Sequence, residues 1–391
     1  LRSTVNYSHS LPRSVFSQLN LSAQNTQNLN QGSFDLTLPS GNLSTRRLQP
    51  FKGSDAAILS NVGVTYDLQF RNELSTGDSV LFEPETWNQW EYGAQQSANV
   101  STSFNLLTYL SVSPNLRYTE RLFFEKLDQQ YVQQEDTAFV QENIQSGLFS
   151  AREYSVSANL STNLYGTFNI NQFGISAIRH AVNPSVNFSY QPDFSDQRFG
   201  NYDTYFGRNG DRQRYFRYQG PYGAVSSGAQ GNMGINIKNN IEMKVRKETD
   251  TGTRLEKVSL IDQLRLSTNY NFLKDSFQLS NISIQARTKL LDAIQVNFDA
   301  TLDPYYYNPA DSTRERSYAL ARSGSFGRIT RYRVNLSSSL NPKTFNSDKD
   351  DNQSLGLQPY GAANYVDFDV PWNLNLNYNL QFSNRNMEKE I

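Results

Sequence analysis

The stretch Tyr154-Ser155-Val156-Ser157-Ala158-Asn159-Leu160-Ser161-Thr162-Asn163-Leu164-Tyr165-Gly166-Thr167-Phe168-Asn169-Ile170 decides the fold. Its even positions carry Tyr, Val, Ala, Leu, Thr, Leu, Gly, Phe and Ile. Its odd positions are Ser, Asn or Thr, with Tyr165 the one exception. Only a β-strand sends alternate side chains to opposite faces, so a period of two held this long is a strand pattern. Soluble strands run to about 5–6 residues. A strand tilted across a bilayer needs about 9–11. The alternation therefore predicts a membrane-crossing strand with one oily and one wet face.

The same pattern recurs along the chain. Val62 to Phe70, Ala98 to Leu106, Leu110 to Tyr118, Ile178 to Tyr190, Met233 to Arg246, Leu264 to Phe272, Ile282 to Leu290, Ile294 to Leu302 and Tyr332 to Leu340 all alternate. The cleanest run is Val366 to Phe382, with Asn373, Asn375, Asn377 and Asn379 on its polar side. Weaker segments lie near 3–9, 15–25 and 33–38. About 12 to 15 strands are expected, forming an all-β, antiparallel transmembrane β-barrel of outer-membrane type, an incomplete part of a large barrel. Short turns are expected at 107–109, 171–177 and 291–293, and long polar loops at 72–97, 119–153, 191–232 and 305–328. The two sets fall on opposite sides, as in barrels with short periplasmic turns and long external loops. Residues 273–276 and 341–365 depart from that sorting.

Composition excludes the simpler alternatives. At 391 residues a soluble chain would form two or three domains. Yet hydrophobic residues are only 37% and mean hydropathy is −0.63, low for packed globules. With 23 Tyr and 24 Phe it is far too aromatic for a disordered chain. A barrel reconciles the two, because one face meets water and aromatic girdles mark both interfaces. Net charge is −1, which offers nucleic acid no attractive field. Cysteine is absent, so neither a disulfide nor a thiolate metal site exists in this chain. No run approaches the ~18 apolar residues of a membrane helix. The chain opens at Leu1 without a signal segment, so a mature chain or a fragment is expected. A soluble sandwich would need apolar residues on its inner faces. Instead the second face carries Lys238, Asn240, Glu242, Lys244, Arg246, Arg287, Lys289, Arg331, Arg333, Asp367, Asp369, Asn375 and Asn377, which are read as lining a wet lumen.

Several segments resemble the Bacteroidetes-type LptD proteins. They are Arg179-His180-Ala181-Val182-Asn183-Pro184-Ser185-Val186-Asn187-Phe188-Ser189-Tyr190-Gln191-Pro192-Asp193-Phe194, Asn239 to Arg246, Lys257 to Asp262, Asp303-Pro304-Tyr305, and Val366 to Leu374. Pro50-Phe51 and Ser101-Thr102-Ser103-Phe104 fit as well. The set runs in order over most of the chain. The resemblance implies the lipopolysaccharide translocon of the Gram-negative outer membrane, a barrel of about 26 strands. It also implies an N-terminal β-jellyroll, a plug lipoprotein like LptE in the lumen, and a periplasmic Lpt bridge that delivers lipopolysaccharide. No bond is made or broken, so an enzyme is not expected, and no cofactor is implied. The whole chain, 1–391, is read as barrel portion, with the jellyroll and last strands outside it. A passive porin or nutrient channel, or a secretion-type barrel, is the alternative.

Other residue groups weigh little. His9 and His180 are the only histidines, too few for a metal site or a Ser-His-Asp set. His180 falls on the oily register, near a turn. Arg208, Arg212, Arg214 and Arg217 sit in the longest loop, and arginine forks suit lipopolysaccharide phosphates. A solvated loop explains them too, and neighbouring aspartates argue against nucleic acid. Asp348, Asp350 and Asp351 lack the spacing of a calcium loop. Gly228, Gly231 and Gly234 precede a strand, not a helix, so no phosphate cradle follows. Pro114 and Pro184 lie inside strands, where each removes a ladder donor and marks a bulge or a weak point.

Overall fold

Alternation becomes strand almost wherever it appears in the sequence. The computed structural model describes residues 1–81, 83–134, 137–172, 174–249, 252–290, 294–310, 313–340, 372–383 and 389–390. In chain order the elements are β1 (Arg2–Ser10), β2 (Phe16–Asn28), β3 (Ser33–Thr45), α1 (Ala57–Ser60), β4 (Gly63–Gly77), β5 (Glu91–Ser101), β6 (Phe104–Leu106), β7 (Leu110–Gln134) and β8 (Thr137–Ser161). Then come β9 (Leu164–Gln172), β10 (Ile175–Gln191), β11 (Tyr202–Phe206), β12 (Arg212–Phe216), β13 (Tyr218–Gln219), β14 (Gln230–Thr249), β15 (Gly252–Asn271) and β16 (Ile282–Leu290). The last are β17 (Ile294–Asp303), β18 (Tyr305–Asn308), β19 (Thr313–Tyr318), α2 (Ala319–Ser323), β20 (Arg328–Leu340), β21 (Leu374–Ser383) and β22 (Lys389–Glu390). Contacts divide the chain into two compact units, residues 1–160 with 187–233 and residues 161–186 with 234–391.

In the first unit, β1, β2, β3, β4, β5 and β7 pair in sequence as an antiparallel meander. β6 continues the line of β5 along β7, and β8 lies beside β7. Register sorts the side chains by face. One row across the strands reads Ser8, Asn20, Asn42, Gln69, Gln95 and Arg121. The adjacent row, on the opposite face, reads Tyr7, Leu21, Gly41, Phe70, Ala94 and Leu122. A Cβ on Gly41 would meet Leu21 Cδ2 at 2.9 Å and overlap the Phe70 ring, so glycine lets that ring lie flat across the strand.

The second unit repeats the scheme. β9 pairs with β10, and β15, β16, β17, β20 and β21 follow as neighbours. Gln263, Arg287, Asn297, Asn335 and Asn379 form a polar row; Leu264, Ala286, Phe298, Val334 and Leu380 form the next, apolar one. β18, β19 and β22 make a separate small sheet in the segment after β17. Arg314 anchors that segment. Its guanidinium pairs with the buried Asp303 at 2.9 Å and stands over the rings of Phe277 and Tyr305 at 4.6 and 4.7 Å.

Among the described residues no second large sheet covers either face. Among the described residues only nine hydrophobic side chains are buried, whereas a soluble chain of this size hides a large core. Phe168, Leu376 and Phe382 are 64%, 50% and 46% exposed. Such surface is stable only against hydrocarbon or another apolar partner. The fold is antiparallel β of the outer-membrane kind, an open part of a barrel.

The structure corrects several expected boundaries. Residues 119–153, expected as a loop, form most of β7 and β8, each 25 residues long. The loop expected at 72–97 shrinks to 78–90, because β4 runs to Gly77 and β5 starts at Glu91. The turn expected at 171–177 is tighter, since β9 reaches Gln172 and β10 begins at Ile175. β15 begins at Gly252, well before Leu264. These extensions interrupt strict alternation, with Glu125, Lys126, Asp128 and Gln129 on β7 and Gln141, Glu142 and Asn143 on β8. The expectations for 291–293, 341–365 and 366–371, with Asp348, Asp350, Asp351, Asp367 and Asp369, lie outside the described residues.

Candidate functional site: a polar wall and the loop folded onto it

The polar rows of the second unit are wetted rather than packed. Lys289, Gln295, Ser337, Ser339, Asn375 and Asn377 line one open hollow. Gln263, Gln285, Arg287, Asn297, Asp299 and Asn335 line another. Arg287 donates to Asn297 Oδ1 at 3.2 Å, and Arg333 to Gln381 Oε1 at 3.1 Å. Arg331 faces Thr301 and Ser383. On β14, Glu242 receives Lys257 at 2.8 Å and lies 3.9 Å from Arg179. Asn240 donates to the Asp262 carbonyl at 3.0 Å, and Arg246 to Asn171 Oδ1 at 3.0 Å. Lys238 and Lys244 are exposed. The residues expected on the polar face are thus exposed or hydrogen-bonded, and among those described the basic side chains outnumber Glu242. Such a surface holds water and favours polar and anionic groups.

The first unit has a polar wall of the same kind, joined by Ser22–Ser40 at 2.6 Å, Asn42 to Asp67 at 2.6 Å and Asn115 to Asn99 at 2.6 Å. Here the wall is covered. The connection between β10 and β14 folds back on the face of β7 and β8 that carries Arg121 and Glu153. Phe194 and Val225 from the loop bury with Phe123 and Ala151, and Phe216 and Tyr218 stack around Phe123 with ring centroids 5.5 Å apart. Arg121 pairs with Glu153 at 2.8 Å, and Glu153 also accepts from the Ser226 amide and hydroxyl at 3.2 and 3.3 Å. Farther along, Pro221 and Tyr222 lie on Gly93, where a Cβ would stand 2.9 Å from the proline ring. The Tyr222 ring receives Arg71 at 5.7 Å and closes one side of a polar hollow lined by Asn6, Ser8, Asn20, Asn42 and Gln69. Burial pushes the Tyr222 hydroxyl up to about 12.

The loop is fastened to itself as well. Asp193 accepts the Ser195 hydroxyl at 2.5 Å, the Ser195 amide at 2.9 Å and the Gly228 amide at 2.8 Å. The Ser195 hydroxyl, then the Gly228 and Ser195 amides and the Arg214 charge, hold its carboxyl below the usual range despite partial burial. The four loop arginines are not equivalent. Arg214 donates to Ser195 Oγ at 2.7 Å and Ser227 Oγ at 3.0 Å and covers the Tyr202 ring at 5.6 Å. Arg217 lies 3.8 Å from Asp203 and donates to the Gly200 carbonyl. Arg212 is exposed beyond one bond to Thr204, and Arg208 is exposed on the hairpin of β11 and β12. His180 contacts Asn239 Oδ1 at 3.1 Å, and His9 stacks on Tyr7.

The sequence did not single out Phe123, Glu153, Phe194, Tyr222 or Val225. A signal was present: Phe194, Phe199, Tyr202, Phe216 and Tyr218 are too many aromatics for a segment that stays in water.

A family model described as LptD protein matches residues 1–305. No curated protein matches the sequence. Among solved structures, the siderophore receptor PirA from Acinetobacter baumannii is similar at 11% identity and TM-score 0.31, over 87% of this chain and 47% of that one. The ferric enterobactin receptor PfeA from Pseudomonas aeruginosa, in complex with enterobactin, is similar at 10% identity and TM-score 0.27, over 87% and 48%. The chain spans about half the length of either receptor.

Proposed function

Because this chain belongs to the LptD family, we propose that it builds part of the wall of an outer-membrane translocon that moves lipopolysaccharide to the cell surface. The family match over residues 1–305 carries the reading. The two-faced wall supports it. A lipid with a large hydrophilic headgroup needs a surface that is oily on one side and wet on the other. Residues 1–391 serve as barrel portion. The Asn- and Ser-rich rows, with Lys238, Asn240, Glu242, Lys244, Arg246, Arg287, Arg331, Arg333, Asn375 and Asn377, face the sugar path. They offer many weak hydrogen bonds to sugar hydroxyls, with an excess of basic side chains that suits an anionic glycan. The exposed Arg208 and Arg212 meet headgroup phosphates at the loop side, with Arg214 and Arg217 fixing the loop that presents them.

The partners in this reading are lipopolysaccharide, outer-membrane lipid, an LptE-like plug lipoprotein and the periplasmic Lpt bridge. Catalysis has no part in it, because transport needs only binding and release. The test is depletion of the intact protein. Newly made lipopolysaccharide should then stay inside the cell surface, and a lipoprotein should copurify with the undepleted protein. Normal surface lipopolysaccharide after depletion, with free ion conductance of the purified barrel, would establish a passive channel instead.

A further inference from the structure

The apolar face of the first unit breaks its own pattern at one level. Register aligns Leu68, Gln96 and Glu120 across β4, β5 and β7. Gln96 Nε2 donates to Glu120 Oε2 at 2.6 Å, and the Tyr66 hydroxyl donates to Gln96 Oε1 at 2.7 Å. Arg152 on β8 donates Nε to Glu120 Oε1 at 2.8 Å. The row on one side is Phe70, Ala94 and Leu122, and the rows on the other are Tyr66, Ala98 and Tyr118, then Val64, Val100 and Leu116. Charge therefore emerges on the side that meets lipid. The Glu120 side chain is 12% exposed, whereas Arg152 is 65% exposed.

Height along the wall gives this row its meaning. β7 leaves a short turn at Leu110 and reaches Glu120 ten residues later. At about 3.3 Å per residue and a tilt of about 40°, that climb is roughly 25 Å, the height of a barrel's apolar band. The row thus stands at the rim on the long-loop side, where the headgroups of the outer leaflet lie. A charged side chain is strongly disfavoured at mid-bilayer and nearly neutral at that rim.

Aromatic rings stand directly beyond it. Trp87, Trp90 and Tyr92 step toward the rim with centroids 6.5 and 6.4 Å apart and planes 21° and 22° from parallel. Trp87 and Tyr92 are 53% and 46% exposed. Buried Thr86 fixes their turn by donating to the Val80 carbonyl at 2.6 Å. Flat, exposed rings stack on sugar rings, and a guanidinium fork held by a carboxylate at Nε keeps its terminal N–H groups for phosphate.

We propose that this outer face binds the phosphorylated sugar headgroup of an outer-leaflet glycolipid, with Arg152 on the phosphate and Trp87, Trp90 and Tyr92 against the sugar. The site lies on the outside of the wall, away from the polar path. It rests on the outer-membrane placement and not on transport.

The test is lipid retention by the intact protein, purified and exchanged into nanodiscs of phosphatidylcholine doped with lipid A or, separately, with phosphatidylglycerol. Wild type should retain bisphosphorylated lipid A over its dephosphorylated form. Arg152→Ala should lower retention roughly tenfold, Arg152→Lys less, and Trp87→Ala with Trp90→Ala should lower it for lipid A but not for phosphatidylglycerol. A photo-crosslinker at exposed Leu148 in otherwise unaltered protein should capture lipid A, which keeps the proposal testable if Arg152→Ala does not fold. Equal retention of both lipid A forms, or unchanged retention and no capture, would overturn it. Surface display of lipopolysaccharide in the Arg152→Ala strain is read separately. Lost retention with normal display upholds the site apart from transport; unchanged retention without capture overturns the site whatever the display.

Discussion

Gly93 shows how one missing side chain positions a whole loop. The strand around it is fixed by pairs on both sides, Arg71 on β4 and Phe123 on β7. A larger residue cannot move the strand, so it must displace Pro221 and Tyr222. Gly93→Val should detach this part of the loop at a cost of about 1–3 kcal/mol. Faster proteolysis between residues 219 and 229, with β-strand content unchanged, would show it. Tyr222 adds a pH dependence of definite sign. Its folded value is raised, so loop docking is complete below the ordinary tyrosine value near 10. Docking weakens as pH climbs from about 10 toward 12, because the undocked hydroxyl ionises first. Tyr222→Phe should reduce that alkaline loss in the same proteolysis assay, the rest coming from Tyr202 and Tyr215, whose hydroxyls burial also pushes up. Asp193 acts at the acid end. Its lowered value gives stability that is present above the usual aspartate range and is lost as pH falls through the folded value.

At the scale of elements, the two interior prolines share one device. Thr102 donates its amide to the Pro114 carbonyl at 3.2 Å across the gap between β5 and β6. Thr162 does the same to Pro184, at 3.2 Å, across the gap between β8 and β9. Ser103 bonds Ser113 at 3.2 Å, and Asn163 bonds Asn183, so a side-chain pair bridges each gap. A lost ladder donor thus interrupts the facing strand, as proline in a sheet dictates. Hydrogen exchange should find the amides of 101–104 and 161–164 opening before those of 296–300; equal protection would contradict this. These gaps were legible because proline's missing N–H is a local fact. The length of β7 and β8 was not. Glu125, Lys126, Asp128, Gln129 and Gln130 look like loop when read for alternation, and only pairing reveals them as strand. The folded loop was illegible for a related reason. Its anchors Phe123 and Ala151 occupy polar-face positions on their strands, so period two alone marks them as exceptions rather than as a docking surface.

At the scale of the molecule, the wall is stable only while its two faces meet different media. The rows of β16, β17, β20 and β21 let this be tested by adjacent substitutions. Leu380→Arg puts a charge on the apolar row and should cost about 2–4 kcal/mol if that row lies near mid-bilayer. Asn379→Arg, one residue away on the polar row, should change stability by less than about 1 kcal/mol. Urea unfolding of the intact protein in lipid vesicles would measure both, and equal costs would refute the two-sided wall. The strand pattern made this division readable from the sequence alone, because hydrocarbon and water impose it residue by residue.

The length of β7 and β8 reaches further still. Twenty-five residues at about 3.3 Å each, tilted by about 40°, climb roughly 60 Å, more than twice the ~25 Å apolar band. The upper half of the pair therefore stands clear of hydrocarbon, and an epitope inserted near its tip in the intact protein should be reached by antibody on whole cells.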